Sequence, residues 1–444
     1  MKLPDSVRRC IDRLEDGGYS TYVVGGSVRD ACLGLTPHDY DLCTAALPEE
    51  IQRIFADHSL VLAGVKHGTV GVITEDGVVE ITTFRQEGDY SDSRHPAWVR
   101  FVPNVEADLA RRDFTVNAMA YSPTRGFADP FGGREDLKSG ILRAVGDPAA
   151  RFQEDALRIL RGVRFAVRFH LTVEPGTEKA MNALAWRIDK LARERVFEEL
   201  CQLLPLVNAQ DLIRFAPVIT EAIPEMKPMV GFDQHSPHHA YDVYTHTALV
   251  TEGVPGQLVV RWAALLHDVG KPANFSLDAE GRGHFIGHAQ KGAQIADGIL
   301  LRLKAPTALR QQVVLLIAQH MTLLAPDKKL LRRRLAQYGW QTVQFLLDLQ
   351  RADFGNKGVL GVTPDFDGIQ QLLQVIAQEN ACLSLKDLAV NGNDLLALGY
   401  TGRQIGVRLN RLLELVLEEK CENTKPALLA ALKNLQQTGG NDHT

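Results

Sequence analysis

The sequence predicts an α+β protein, in which a small mixed β-sheet near the N-terminus is followed by an all-α remainder. Three observations carry this prediction. Residues 22–43 have a strand–turn–helix–strand pattern, and residues 68–84 have the composition and central turn of a β-hairpin. After Asp147-Pro148 the spacing of apolar residues is helical to the end of the chain.

The first of these segments is built around a pair of glycines. Tyr22-Val23-Val24 predicts a strand that enters a turn at Gly25-Gly26. Val28 to Leu33 then predicts a short helix, and Asp39 to Cys43 predicts a second strand. The predicted order places a glycine turn directly before a helix and close to two aspartates.

The hairpin is predicted by two β-rich runs, 68–74 and 78–84, that flank Asp76-Gly77. Glu80 lies on its second strand. If this side chain projects to the same sheet face as the aspartates, it supplies a third carboxylate. The alternative is a solvated strand residue, because one face of a sheet is often exposed to water.

The composition allows several domains and excludes some classes of protein. A chain of 444 residues with 45% apolar residues can form roughly two to four domains. It contains no apolar run of roughly 18 residues and begins without an apolar signal region, so we expect a cytoplasmic protein with no membrane partner. The net charge of −5 means that a nucleic acid would have to bind a local basic surface. Six scattered cysteines predict reduced, buried thiols: Cys10, Cys32, Cys43, Cys201, Cys382 and Cys421.

The glycine turn and the pair Asp39 and Asp41 form the first candidate site. Side chains two apart on a strand point to the same face, so both carboxylates can reach one Mg²⁺. In this interpretation Gly26 lets the backbone approach a triphosphate, and Arg29 neutralises it. The pattern predicts metal-assisted phosphoryl or nucleotidyl transfer.

Arg111-Arg112-Asp113 and the nearby Asn117 form a second candidate element. A guanidinium matches the geometry of phosphate, so Arg112 is a candidate triphosphate contact. We expect Asp113 and Asn117 to brace Arg112 or to contact the sugar. The alternative is an ordinary helix N-terminus with surface arginines.

A third element is a helix predicted from Arg151 to Phe165. Its arginines recur at steps that keep them near one stripe, and apolar residues fill the neighbouring core positions. The stripe contains Arg151, Arg158, Arg161 and Arg164, and the core positions are Leu157, Leu160 and Val163. Asp155 and Arg158 are an i, i+3 pair that can read a base edge. A carboxylate accepts from the amine of cytosine or adenine and a guanidinium donates to the ring nitrogen, whereas uracil and guanine leave the acid unpaired.

These motifs together resemble the class II tRNA nucleotidyltransferases, the group that contains the CCA-adding enzymes and the bacterial poly(A) polymerases. The resemblance also covers Asp129-Pro130-Phe131-Gly132-Gly133 and Asp136-Leu137, and it spans residues 20–170 almost continuously. It implies that Asp39 and Asp41 are catalytic and bind Mg²⁺. It implies that the incoming nucleotide, CTP or ATP, contacts Gly26, Arg29, Arg112, Asp155, Arg158, Arg161 and Arg164.

A second candidate site is a set of histidines and aspartates. The adjacent pair in His267-Asp268-Val269-Gly270-Lys271-Pro272 offers imidazole and carboxylate to one metal ion. The set resembles that of the HD phosphohydrolase superfamily. By this resemblance His246, His267, Asp268 and Asp353 match a single-metal set, and His288 and His320 match the extra histidines of two-metal members. The resemblance implies a divalent metal (Ni²⁺, Mn²⁺ or Mg²⁺) and phosphatase or 2′,3′-cyclic phosphodiesterase activity.

The resemblance also implies four domains. They are a nucleotidyltransferase head over 1–143, a helical neck and body over 144–230 that recognises the nucleobase and binds tRNA, an HD domain over 231–360 and a helical tail over 361–444. A basic cluster, Lys328-Lys329 with Arg332-Arg333-Arg334, either grips the tRNA backbone or is a solvated helix face.

The function implied is template-independent addition or repair of the 3′-terminal CCA of tRNA from CTP and ATP, by two-metal transfer, together with HD-type hydrolysis. Two alternatives stay open at this point. One is a poly(A) polymerase or a partial enzyme that adds only CC or only A. The other is an HD phosphohydrolase whose head binds tRNA. The oligomeric state does not follow from the sequence.

Overall fold

The computed structural model describes residues 1–88, 98–236, 239–357 and 363–438. The chain forms two compact units, Met1–Lys227 with Ile299–Ala305 and Pro228–Gly298 with Pro306–Thr444. The predicted boundary between residues 360 and 361 lies outside the described residues, and the division into four domains stays a prediction. None of the helices in the described part of the chain is long and apolar enough to cross a membrane.

The first unit contains the β-sheet predicted from the sequence, and the α+β class is confirmed. Its strands are β1 (Thr21–Val24), β2 (Asp41–Thr44), β3 (Leu60–Val61), β4 (Thr69–Thr74), β5 (Gly77–Thr83), β6 (Arg85–Glu87), β7 (Val99–Phe101), β8 (Ala120–Ser122), β9 (Gly126–Ala128), β10 (Ile141–Leu142) and β11 (Thr172–Val173). Seven of them form a mixed sheet in the order β3-β4-β5-β2-β1-β8-β9. β2 and β5 are parallel, with Leu42 opposite Ile81, and the remaining neighbours are antiparallel.

The hairpin prediction is confirmed, because β4 and β5 pair from Thr74 and Gly77 inwards. The second predicted strand is shorter than expected. β2 begins at Asp41, so Asp39 precedes the strand and the two aspartates are not neighbours on one strand face. The first helix also differs, because it begins at Gly26, directly after the turn, rather than at Val28.

Helices surround this sheet and continue beyond it in the first unit. They are α1 (Asp5–Asp16), α2 (Gly26–Cys32), α3 (Pro48–Ile54), α4 (Val105–Ala110), α5 (Gly133–Lys138), α6 (Pro148–Glu154), α7 (Leu157–Arg168), α8 (Pro175–Leu184), α9 (Arg193–Leu203), α10 (Ala209–Arg214) and α11 (Ala216–Ala222). Short 3₁₀ helices occur at Val65–His67, Thr115–Asn117 and Ala185–Lys190, and a fourth, Pro224–Met229, begins in this unit. One apolar core contains Val24, Cys43, Phe84, Val105, Leu109, Ala118, Ala120 and Val145.

The predicted helix from Arg151 to Phe165 is in fact two helices. Asp155 leaves the helical conformation, with φ −139° and ψ 105°, between α6 and α7. Its side chain explains the break, since Oδ1 accepts the N–H of Leu157 at 2.9 Å and such local bonds compete with the helical ladder. Arg151 therefore lies on a different helix from Arg158, and the single stripe of four arginines was a wrong prediction.

The second unit is helical apart from one short hairpin. Its elements are α12 (Val243–Gly253), α13 (Leu258–Leu266), a 3₁₀ helix (Pro272–Asn274), β12 (Ser276–Leu277), β13 (Gly283–His284), α14 (His288–Arg302), α15 (Thr307–Gln319), α16 (Lys328–Gly355), α17 (Phe366–Gln378), α18 (Gly392–Ala397), α19 (Arg403–Leu417) and α20 (Lys425–Thr438). The last four residues of α14, from Ile299, belong to the first unit. α16 is broken at Gly339, whose φ of 77° is incompatible with a continuous helix. The last helices share a core around Val390, Leu395, Leu412 and Leu428.

None of the six cysteines, all within the described ranges, forms a disulfide bond, as expected, but they are not all buried. Cys10, Cys43 and Cys382 are buried, whereas Cys32 is exposed and Cys201 and Cys421 are partly exposed.

Candidate functional site

The glycine turn is the starting point of the first site. Gly25 has φ 72° and ψ −130°, a conformation that only glycine adopts without strain. A Cβ atom at this position would lie 2.9 Å from Nη1 of Arg112. The turn therefore lets the backbone and the Arg112 guanidinium approach each other closely.

Three carboxylates lie near this turn. Asp41 begins β2, and the register of β2 with β5 places it beside Glu80. Asp41 is exposed, but the surrounding protein still desolvates its carboxyl and so raises the pKa. The negative charges of Glu80 and Asp39 raise this pKa further. Mutual repulsion of this kind is relieved by a cation, and carboxylates with substrate phosphate are the usual ligands of Mg²⁺. The chemistry of the donor set thus fits a hard divalent ion.

These carboxylates do not form a closed ligand cage. A metal site can be sought as three or more ligand residues whose donor atoms lie within 4.8 Å of one another. In the described ranges, all such groups belong to the second unit. A metal ion at Asp39 and Asp41 would therefore need further oxygen ligands from a substrate.

A cavity of about 460 Å³ opens beside the turn and collects most of the predicted residues. Eight of the nine predicted nucleotidyltransferase residues line it, namely Gly26, Arg29, Asp41, Arg112, Asp155, Arg158, Arg161 and Arg164. Asp39 is exposed and precedes β2, but it is near enough to influence the pKa of Asp41. Residues from the sheet, α2 and α7 thus meet at one strongly basic cavity.

The arginines of this cavity are held by three carboxylates, of which the sequence indicated Asp113 but not Asp108 or Glu199. Asp108, fully buried, accepts from Arg111 at 2.9 Å and from Arg112 at 3.2 Å. Asp113 accepts from Arg161 at 2.8 Å, and Glu199 accepts from Nε of Arg164 at 2.7 Å. Each pair fixes a guanidinium in a defined orientation.

Asp113 and Asn117 are therefore bracing residues, but for other arginines than predicted. Asn117 accepts from Nη1 of Arg29 at 2.5 Å and donates to Asp113 at 3.1 Å. Asp113 holds Arg161, while Arg112 is held by Asp108. Of the two roles predicted for them, the bracing of Arg112 was wrong, because Asp108, four residues before Arg112, is its carboxylate partner. Contact with the sugar stays a prediction.

Asp155 and Arg158 both line the cavity but are not paired with each other. Oδ2 of Asp155 accepts from Nη2 of Arg195 at 2.9 Å. Arg158 donates to Glu154 at 2.7 Å and to the carbonyl oxygen of Arg111 at 2.9 Å. The two side chains line one cavity, and each is held by its own partners.

Phe165 is an aromatic member of this site that the sequence analysis did not single out for function. The guanidinium carbon atoms of Arg29, Arg161 and Arg164 lie 5.4, 5.1 and 4.5 Å from the centre of its ring. Cation–π contacts of this kind stabilise closely spaced arginines.

The second site lies in the second unit and brings together all six predicted residues. Asp268 and Asp353 contact His246 at 3.6 and 3.0 Å through its Nε2. Nε2 of His267 lies 3.2 Å from Asp268, and Nε2 of His288 lies 3.5 Å from the other oxygen of Asp268. Nε2 of His320 lies 3.3 Å from Nε2 of His288, which completes the cluster.

The four histidines share one orientation. Each Nδ1 faces a backbone carbonyl oxygen, those of Asn356, Ala264, Phe285 and Ile317, at 2.7 to 3.3 Å. Because a carbonyl oxygen can only accept, each Nδ1 carries the proton, and in the neutral ring the lone pair of Nε2 is directed into the cluster. This is the arrangement that metal-binding histidines adopt.

The charge state of the cluster also suits a metal. Burial lowers the pKa of His320 to about 4 and lowers that of His288, so both are neutral near pH 7. Two unprotonated Nε2 atoms at 3.3 Å repel each other unless a cation lies between them. Nε2 of His267 and Oδ2 of Asp268 are buried 3.2 Å apart, and neither atom forms a hydrogen bond of regular geometry with the described residues. The residues present therefore fit one or two divalent ions.

Two lysines neutralise the aspartates of this cluster. Nζ of Lys271 lies 2.7 Å from Asp268 and donates to Oε1 of Gln234 at 2.8 Å. Nζ of Lys357 lies 2.7 Å from Asp353. Lys271 belongs to the motif noted in the sequence, whereas Gln234 and Lys357 belong to no motif that the sequence analysis recognised.

Four of the five basic residues of the cluster on α16 pair with acidic residues, and the fifth, Arg334, donates to Gln337. Lys328 pairs with Glu379, Arg332 with Glu419 and Arg333 with Glu418, at 2.7, 3.4 and 2.6 Å. Lys329 also approaches Glu419, at 3.7 Å. These contacts favour the alternative that the cluster is a surface of the fold rather than a grip on tRNA.

Comparison with known protein families assigns the two sites to different segments. Residues 21–143 match the poly A polymerase head domain, and residues 238–353 match the HD domain. Residues 170–214 match a probable RNA and SrmB-binding site of polymerase A.

Relatives match the chain over nearly its whole length. A CCA-adding enzyme of Levilactobacillus brevis is 34% identical over 438 residues, which is 96% of this chain and 97% of that protein. A CCA-adding enzyme of Leuconostoc mesenteroides is 47% identical over 194 residues, 44% of this chain and 48% of that protein. The crystal structure of the Bacillus stearothermophilus CCA-adding enzyme in complex with CTP is similar over 100% of both chains, with a TM-score of 0.74 and 27% identity.

Proposed function

The chain belongs to the CCA-adding enzymes, tRNA nucleotidyltransferases that here also carry an HD domain, and we propose that it builds or repairs the complete 3′-terminal CCA of tRNA from CTP and ATP. One observation carries the proposal. The glycine turn, Asp41 and the arginines of α7 line the same cavity as Asp155 and Arg158. A phosphate-binding turn, a metal-binding carboxylate and a base-reading pair therefore face one substrate volume.

Within this cavity the roles follow from chemistry. Gly25 and Gly26 let the backbone approach the triphosphate, while Arg29 and Arg112 neutralise its charge. Asp155 accepts a hydrogen bond from the amine of cytosine or adenine, and Arg158 donates to the ring nitrogen. A carbonyl group in place of the amine leaves the carboxylate unpaired, which disfavours UTP and GTP.

The reaction joins the terminal ribose of tRNA to the nucleotide. The 3′-oxygen of tRNA forms a bond to the α-phosphorus, the bond from that phosphorus to the β-phosphate oxygen breaks, and pyrophosphate leaves while the hydroxyl proton passes to solvent. Asp39 and Asp41, with the phosphates, would hold Mg²⁺, which when bound supplies charge neutralisation for the nucleophile and the leaving group. We propose that the enzyme acts in the cytoplasm, where these substrates are available.

The test is end-addition to a tRNA transcript that lacks its last three nucleotides, with CTP, with ATP and with both, resolved to single nucleotides. Two additions with CTP and a third only when ATP is also present would support the proposal. A long ladder with ATP would indicate a poly(A) polymerase, and a stop after CC with both nucleotides would indicate a partial enzyme. D39A and D41A should abolish nucleotide addition without lowering the melting temperature. The surface variant D12N should add nucleotides as the unmodified chain does.

We also propose that the second site hydrolyses phosphate esters at RNA ends. The observation that favours this is the inward orientation of four Nε2 atoms beside Asp268 and Asp353. The residues would hold a divalent metal, which activates water for attack on phosphorus when bound. The test uses 2′,3′-cyclic AMP and an RNA oligonucleotide with a 3′-phosphate, each with Mg²⁺, Mn²⁺ or Ni²⁺.

The two activities can be separated by variants. Hydrolysis by D41A but not by D268N would support an independent HD site. CCA addition by D268N at the rate of the unmodified chain would show that the first site does not depend on the second. Hydrolysis that survives in D268N would contradict the assignment to this cluster. If D41A hydrolyses RNA ends and the unmodified chain adds no nucleotide, the alternative of an HD phosphohydrolase with a tRNA-binding head gains support.

A further inference from the structure

One helix outside the predicted site, α9, supports both parts of the cavity. Arg195 and Glu199 lie four residues apart, so their side chains share one face of this helix. Arg195 reaches the base-reading carboxylate, and Glu199 reaches the arginines of α7. Neither residue belongs to a motif that the sequence analysis recognised.

Arg195 completes the immobilisation of Asp155. Nη2 of Arg195 donates to Oδ2 of Asp155 at 2.9 Å, and Oδ1 of Asp155 accepts the N–H of Leu157 at 2.9 Å. With one bond at each oxygen, the carboxylate has no free rotation. Each oxygen can still accept a second hydrogen bond. Asp155 is thus held as a fixed acceptor with capacity left for one exocyclic amine.

Arg195 itself lines the cavity. Its side chain is one quarter exposed, and that of Asp155 is 16% exposed, so the pair is partly shielded from water. A charge-assisted bond in such a position is stronger than one at the surface. Orientation of Asp155 therefore depends on Arg195 more than on solvent.

Glu199 acts on different residues. Its side chain is only 7% exposed, and Oε2 accepts from Nε of Arg164 at 2.7 Å. Its Oε1 lies 3.9 Å from Nη1 of Arg161. The contacts of Glu199 thus involve arginines that face the nucleotide and leave Asp155 untouched.

We propose that Arg195 is a positioning residue that sets the choice of nucleobase, whereas Glu199 positions arginines that set affinity for the nucleotide without affecting that choice. This inference rests on the proposed function. Discrimination requires the carboxylate to stay where a carbonyl of uracil or guanine would face it. If the carboxylate of Asp155 can rotate, it can find another donor when uracil or guanine is bound. The free-energy cost of binding the wrong base then falls.

The experiment measures kcat/KM for CTP and UTP on a tRNA that lacks all three nucleotides, and for ATP and GTP on a tRNA that ends in CC. The variants are R195M, R195K, E199Q and the control R193M. Arg193 lies on the same helix and also pairs with an aspartate, Asp189, at 2.5 Å, but it does not line the cavity.

In R195M the ratios of CTP over UTP and ATP over GTP should fall roughly tenfold to hundredfold. R195K, which retains one charged donor, should recover part of each ratio, and R193M should match the unmodified enzyme. E199Q should raise KM for CTP and ATP together and leave both ratios unchanged. If R195M does not fold, the test is whether R195K loses part of each kcat/KM ratio while R193M loses none.

Ratios that stay constant in R195M, or that fall equally in R193M, would overturn the inference. So would an E199Q variant with reduced discrimination. These outcomes are distinct from failure of the proposed function, in which the unmodified enzyme itself would not add CTP and ATP in order.

Discussion

Oδ2 of Asp113 accepts a hydrogen bond from Nε of Arg161 at 2.9 Å, and this bond joins the segment between α4 and β8 to α7. The other oxygen of Asp113 accepts from Nδ2 of Asn117, which in turn holds Arg29. A single buried carboxylate thus links two arginines of the cavity that come from distant parts of the sequence.

This relationship predicts a pH-dependent contribution to stability. Burial acts to raise the pKa of Asp113, but the charge of Arg161 and the bond from Asn117 outweigh it and lower the pKa to about 2. A carboxyl with a depressed pKa stabilises the fold above its unfolded pKa, and the contribution is lost as the pH falls towards the folded value. D113N should cost about 2 kcal/mol near pH 7, and the difference should shrink between about pH 4 and pH 2.

The measurement is urea unfolding of D113N and the unmodified chain from pH 7 down to pH 3, with the exposed D12N as control. D12N should show no such trend. A difference between D113N and the unmodified chain that stays constant over this range would contradict the assigned pKa.

The turn at Gly25 yields a second prediction. G25A should cost about 1 to 3 kcal/mol, because the backbone conformation is strained for alanine, and its Cβ would meet Arg112 at 2.9 Å. Displacement of Arg112 should then raise KM for CTP and ATP. Gly18 provides a matched control, since its φ is +88° and a Cβ there has no described heavy atom within 4 Å.

G18A should therefore lower the melting temperature while leaving KM unchanged. Steady-state kinetics and thermal unfolding of both variants make the comparison. A G25A enzyme with an unchanged KM would show that the close approach of Arg112 to the turn has no role in substrate binding.

Local signals in the sequence predicted much of this structure. Gly25-Gly26, Asp76-Gly77 and His267-Asp268 each encode their geometry within a few residues, and the structure places a turn, a hairpin and a histidine–aspartate cluster there. The six residues of the second site come from distant segments; the adjacent pair indicated a metal site, but the full set followed only from the resemblance to the HD phosphohydrolase superfamily.

The errors arose where a side chain bonds to a partner that spacing cannot identify. The helical periodicity of residues 151–165 was correct, yet a bond from Asp155 to the backbone broke the helix. Periodicity gives the face on which Arg164 lies but not that Glu199, 35 residues later, will pair with it. Such partners depend on tertiary packing and carry no local signature.

The basic cluster on α16 illustrates the same limit and gives a third prediction. Arg332 and Arg333 pair with glutamates more than 80 residues away, so their charges are already compensated. R333Q and the double variant R332Q/R333Q should leave KM for tRNA and its dependence on salt unchanged. E418Q should lower stability as little as R333Q does, because exposed ion pairs contribute little.

The decisive measurement is the slope of log KM for tRNA against log salt concentration. Each lost phosphate contact reduces the slope by about 1. A reduction of that size in R333Q would show that the cluster binds the tRNA backbone despite its glutamates.

Glu80 gives the last prediction, because the structure places it beside Asp41 on the neighbouring parallel strand. Its negative charge contributes to the raised pKa of Asp41. If Glu80 is a third metal-binding carboxylate, E80Q should raise the Mg²⁺ concentration that gives half-maximal transfer by roughly tenfold, the value of one good charge-assisted contact. At saturating Mg²⁺, kcat should be much less affected.

A second consequence concerns pH. Asp41 must be ionised to bind a cation, and removal of the Glu80 charge lowers its pKa, so the acidic limb of the rate profile of E80Q should shift to lower pH. The exposed turn residue Asp76 provides the control variant D76N, which should change neither property. A shifted acidic limb with an unchanged Mg²⁺ requirement would mean that Glu80 acts on Asp41 through its charge and is a solvated strand residue rather than a ligand.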